Sequence, residues 1–160
     1  MKVFYKRRHP DNFEKQKTEA LYVNNFGYYK DIEKEIRIER AEGRYDYQLI
    51  YVSNGEMLVG KSILKSGDYC VFYPDEPQFY TYRCAEGSSY YWIHITGNAA
   101  SSLLASDSLS SGVHSAEVRQ NELDTLFHSL SLSARRTGET DSRYEQALLY
   151  SILLLLWLSW

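Results

Sequence analysis

The segment Glu35-Ile36-Arg37-Ile38-Glu39-Arg40 alternates strictly in side-chain character. On a strand, successive side chains point to opposite faces, so Ile36 and Ile38 share a face with Arg40, while Arg37 and Glu39 lie opposite. An arginine on an apolar face is a chemical signal. Its guanidinium stays charged at any biological pH, and burial without a partner is costly. Its planar fork can clamp two hydroxyls of a sugar or one carboxylate. A structural salt bridge to Glu35 or Glu42 is the competing use of that charge. Alternation in Tyr90–Thr96 sets Tyr90, Trp92 and His94 on one face, and Tyr91, Ile93 and Ile95 on the other. On such a face Trp92 would either pack as barrel core or offer a flat wall to the apolar face of a ring, and Tyr90 could supply a hydroxyl that donates or accepts. Tyr80 and Tyr82 likewise share a face in Phe79–Arg83.

Other chemistries are poorly provided for. A metal-dependent barrel enzyme needs closely spaced His ligands with a Glu and a later His. The four histidines here, His9, His94, His114 and His128, form no H-x-H pair. The serines of 101–115 lack a Gly-x-Ser-x-Gly elbow, and there is no phosphate-cradling glycine loop. The reading therefore assigns no catalytic residue, no metal ligand and no cofactor.

Positioning these residues requires strands. Glu35–Glu39, Tyr45–Val52, Met57–Val59, Tyr69–Tyr73, Phe79–Arg83 and Tyr90–Thr96 read as short strands. Tyr47, Leu49 and Tyr51 share one face of the second. Asn54-Gly55 reads as a hairpin turn, Lys65-Ser66-Gly67-Asp68 is a second turn, and Pro74 and Pro77 bracket a loop. Short strands with Gly-centred turns predict an antiparallel barrel or sandwich. Residues 1–34 read as an irregular arm with short extended pieces, 35–97 as the barrel, and 98–116 as a brief helix and loop. Residues 117–160 read as a helical pair. Leu123, Leu126, Phe127 and Leu130 make an apolar stripe at helical spacing. Arg135 to Gly138 ends that helix, and Asp141 or Ser142 can cap the next.

The last helix is apolar almost all round from Ala147. One of its stripes can cover the barrel or the first helix, which leaves another in need of a partner. A homodimer is the expectation, with Leu126, Phe127, Leu130, Leu149, Leu153 and Leu156 at the contact; burial within the chain is the alternative. The run Ile152–Leu158 falls far short of the roughly 20 residues that span a bilayer, so no membrane partner is expected.

Composition narrows the class. The chain has 160 residues, a net charge of −3 and fifteen tyrosines. The charge argues against a bare nucleic-acid-binding domain, and Lys6-Arg7-Arg8-His9 reads as a solvated arm. Two cysteines without metal-ligand spacing suit reduced thiols in a cytoplasmic protein.

Three motifs carry a family resemblance: Glu39 through Gly55, Ser66-Gly67-Asp68-Tyr69-Cys70-Val71-Phe72-Tyr73-Pro74, and Trp92-Ile93-His94-Ile95-Thr96-Gly97. Together with the paired helices, residues 35–160 resemble the effector-binding and dimerisation domain of AraC-type transcription regulators. The resemblance implies an α+β, mostly β fold: a cupin-like antiparallel barrel of the jelly-roll type, followed by two antiparallel helices. It implies a small effector, expected to be a carbohydrate, held by Arg40, Tyr80, Tyr90 and Trp92. His94 belongs to the family pattern without an assigned role, and core packing is its expected part. In the family a helix-turn-helix DNA-binding domain follows. The chain stops where it would begin, so the expectation is the sensor part of a longer regulator that meets DNA only through that domain. The alternatives are a metal-dependent cupin enzyme and a dimerisation module with a filled barrel.

Overall fold

The computed structural model describes residues 3–8, 17–135 and 142–159. Its strands are β1 (Val3–Arg8), β2 (Tyr22–Lys30), β3 (Ile36–Arg40), β4 (Tyr47–Asn54), β5 (Glu56–Val59), β6 (Ser62–Lys65), β7 (Asp68–Phe72), β8 (Gln78–Tyr82), β9 (Ser89–Thr96) and β10 (Gly112–Ser115). They form two sheets with antiparallel pairing throughout. The larger runs β1-β2-β9-β4-β7-β10 and the smaller β3-β8-β5-β6. The chain passes between the sheets repeatedly, which makes the expected cupin-like jelly roll. A short helix α1 (Ala100–Leu103) precedes two longer ones, α2 (Gln120–Arg135) and α3 (Ser142–Trp157).

Three elements differ from the sequence reading. The segment expected as an irregular arm contains β2, nine residues long and inserted between β1 and β9. Its alternation is broken by a register shift between Val23 and Asn25, which hides the strand period. Asn54-Gly55 does not close a hairpin. Gly55 has a φ of +91°, as a sharp turn needs, but β4 pairs with β7 and β9 while β5 pairs with β6 and β8. The turn carries the chain from one sheet to the other. The hairpin lies instead at Gly60-Lys61, where Val59 faces Ser62 across β5 and β6. The caps expected at Gly138 and Asp141 lie outside the described residues.

Each sheet has a face to bury, and two cores result. Between the sheets lie Ile50, Val52, Met57, Leu64, Cys70, Phe72, Tyr80, Tyr82, Tyr90 and Trp92. The outer face of the larger sheet presents Phe26, Leu49, Tyr51, Tyr69, Val71, Ile93 and Ile95 to α2 and α3. Phe127 of α2 lies 5.1 Å from both the Tyr51 and the Tyr91 rings, stacked on each. Tyr51 Oη and Ser53 Oγ both donate to Asp124 of α2, at 2.9 Å each.

This second core corrects the expected subunit contact. Phe127, Leu130, Leu149, Leu153 and Leu156 are buried inside the chain, and Leu126 is partly buried. The sheet's outer face is itself apolar and takes the stripe that the sequence left unpartnered. The large apolar side chains that remain exposed on α3 are Tyr144, Tyr150, Leu154 and Trp157, with Leu158 just beyond it.

Candidate functional site

β3 pairs with β8 so that Arg40 stands opposite Gln78 and Ile38 opposite Tyr80. Arg40 therefore points between the sheets, as its alternation predicts. Its Nη1 donates to Gln78 Oε1 at 2.8 Å and to Tyr80 Oη at 3.0 Å. Across the barrel, β4 and β9 set Gln48 opposite His94, and Gln48 Nε2 donates to Tyr80 Oη at 3.1 Å. No carboxylate among the described residues pairs with Arg40, so the salt bridge to Glu35 or Glu42 does not form.

Except for Gln78, which lies behind the wall, these side chains line a cavity of about 200 Å³ inside one end of the barrel. Its polar wall is Arg40, Arg44, Gln48, Tyr80 and His94; its aromatic wall is Tyr29, Tyr82 and Trp92, with Ile38 between. The Tyr29 ring lies 4.9 Å from Trp92 and 5.1 Å from Tyr82. Burial pushes the phenols of Tyr29 and Tyr82 up, with nearby Tyr80 adding to both shifts, so both are neutral hydroxyls at neutral pH. The opposite end of the barrel is filled by Val52, Met57, Leu64 and Tyr90.

Behind the polar wall is a buried ionic cluster. Arg44 grips Asp46 at two points, Nε to Oδ1 at 2.7 Å and Nη2 to Oδ2 at 3.0 Å. Asn24 Nδ2 donates to Oδ2 at 3.1 Å, and His94 Nδ1 lies 3.3 Å from Oδ1. Burial alone would push the Asp46 carboxyl up, but hydrogen bonds from His94 and Arg44 outweigh it and hold the group well below the carboxylate range. Burial draws His94 down to about 4, against the pull of Asp46. His94 is thus neutral at pH 7. With Nδ1–H directed at Asp46, the lone pair falls on Nε2.

Of the residues expected to bind an effector, the structure brings Arg40, Tyr80 and Trp92 to one cavity. Tyr90 shares the inner face but lies at the filled end, 4.9 Å from the ring of Tyr82, with its hydroxyl in reach of the Glu56 and Arg83 carbonyls. It does not line the cavity. Arg44, Asp46 and Gln48 went unassigned in the sequence although a signal was present. If Tyr47, Leu49 and Tyr51 share one face of β4, then Asp46 and Gln48 fall on the other beside Ile50 and Val52. Two polar residues at inward positions mark a site. Tyr29 had no such signal, because its strand was unread. Among the described residues no three His, Cys, Asp or Glu gather as a metal site would require.

Two facing sheets around a polar and aromatic cavity, roofed by helices on the far side of one sheet, define a cupin-like ligand-binding domain. The chain belongs to the family of AraC-like ligand binding domains, whose model matches residues 39–153. Its fold is similar to that of apo ToxT K231A from Vibrio cholerae strain SCE256, with a TM-score of 0.54 and 12% identity over 87% of this chain and 54% of that one. It is also similar to the AraC-like transcriptional activator CuxR, with a TM-score of 0.52 and 9% identity over 98% of this chain and 60% of that one. The chain thus spans little more than half the length of these two regulators. A comparison with the curated proteins returns no match. No helix among the described residues is long and apolar enough to cross a membrane.

Proposed function

We propose that this chain is the effector-sensing and dimerisation part of a cytoplasmic bacterial transcription regulator. A small polar molecule, a saccharide or a derivative of one, enters the barrel, and its occupancy controls DNA binding by a further domain. The observation that carries this reading is Arg40: a guanidinium inside the barrel, anchored by neutral partners alone, in one cavity with the indole of Trp92. Such a switch works only if the effector binds the two states of the regulator with different affinity.

A thermal-shift screen against mono- and oligosaccharides and sugar acids tests it, since a guest that binds only the folded state raises apparent stability. Arg40→Ala is expected to weaken binding of any hit by roughly ten- to a hundredfold, the worth of a hydrogen bond to a charged group. The fold should survive, because Arg40 makes no ion pair among the described residues. Unchanged affinity in calorimetry would remove Arg40 from the site.

A further inference from the structure

The polar half of the cavity does not balance its own charge. Arg40 and Arg44 both line it. The carboxylate behind them, Asp46, is fully engaged by Arg44, Asn24 and His94. Tyr29 and Tyr82 are neutral phenols, and the neutral His94 adds no charge. Within the cavity as described, Arg40 and Arg44 against Asp46 leave one positive charge without a counterion.

Hydrogen-bonding capacity is left over in the same place. Both bonds of Arg40 leave from Nη1, so Nε and Nη2 have no protein partner among the described residues. Beside it Gln78, 0% exposed, accepts from Arg40 while its Nε2 is unpartnered. Gln48, 2% exposed and part of the cavity wall, has an unpartnered Oε1. Buried polar atoms without partners are rare in folded proteins. Arg40 is only half-buried, so its leftover donors open toward the cavity, where an acceptor that carries charge would suit them; the leftover acceptors there, Gln48 Oε1 and His94 Nε2, suit a hydroxyl or N–H.

We propose that the guest is an anion: a carboxylate carried on a small hydroxylated ring. The carboxylate lies along the open edge of Arg40, the hydroxyls donate to Gln48 Oε1 and His94 Nε2, and the ring rests on Trp92. A neutral sugar could hydrogen-bond to both the fork and the acceptors, but it would bring no counterion to Arg40. This inference rests on the barrel-sensor reading and narrows its ligand.

Matched pairs test it by calorimetry: D-glucuronate against D-glucose, and 4-hydroxybenzoate against 4-hydroxybenzamide. The acid of at least one pair is expected to bind at least about tenfold more tightly than its neutral partner. Added salt should weaken the acid and leave the neutral partner unchanged, a readout that needs only the wild-type chain. Arg40→Gln should erase the preference, and Arg40→Lys, which keeps the charge without the fork, should retain part of it. Equal binding within every pair overturns the anionic guest and leaves the sensor reading standing. A preference that survives Arg40→Gln overturns it as well. If acid binding is also untouched by Trp92→Ala, the guest lies outside the barrel and the sensor reading falls too. No binding by any member at millimolar concentration overturns the inference.

Discussion

Asp46 and His94 hold opposite positions with respect to protons. Asp46 stays ionised because His94 and Arg44 outweigh its burial, whereas burial wins at His94 and lowers it to about 4. In the unfolded chain a histidine titrates near about 6.5. Between those values the unfolded chain takes a proton that the folded chain refuses, so stability falls as pH drops through this window. The loss should be on the order of 3 kcal/mol, read as the difference between urea titrations at neutral pH and at the acid end. His94→Gln should flatten that part of the profile, and an equal slope in wild type and variant would mean that another group controls it. Asp46 contributes at more acid pH, where its carboxylate finally protonates.

Among the elements, α2 depends most on one side chain. Phe127 fills the space between Tyr51 and Tyr91, and Phe127→Ala is expected to destabilise the chain by about 3–5 kcal/mol in urea unfolding. A loss below about 1 kcal/mol would mean that the helix is not held by this stack. The strands that could be read from the sequence are those whose period is unbroken. β3 and β9 alternate cleanly, and both Arg40 and Trp92 follow from them. β2 carries a bulge, so its period slips and Tyr29 goes with it. Asn54-Gly55 shows a different limit. The dipeptide fixes a backbone conformation, but which strands pair is decided by the face each must bury. Tyr90 shows a third: alternation assigns a face, not a depth along the strand, and the filled end of the barrel looks the same as the open end until both sheets are in place.

At the scale of the whole molecule, α3 and the residues after it carry a group of exposed apolar side chains. Tyr150, Leu154, Trp157 and Leu158 are 40%, 54%, 55% and 47% exposed. If the chain dimerises through this helix, these are the residues that meet. Leu154→Glu combined with Trp157→Glu should then yield monomers in sedimentation, whereas Leu153→Glu should unfold the chain, because Leu153 lies in the core. A dimer that persists in the double variant puts the contact on another surface. Strand β4, finally, belongs to both halves of the molecule. Its inward residue Gln48 touches the cavity, and three positions on, Tyr51 reaches through to Asp124 of α2. That is about 10 Å of extended chain. On the proposed sensor reading, a guest that pulls on the Gln48 amide would act on the helix through one stiff rod, with no hinge needed between barrel and helices.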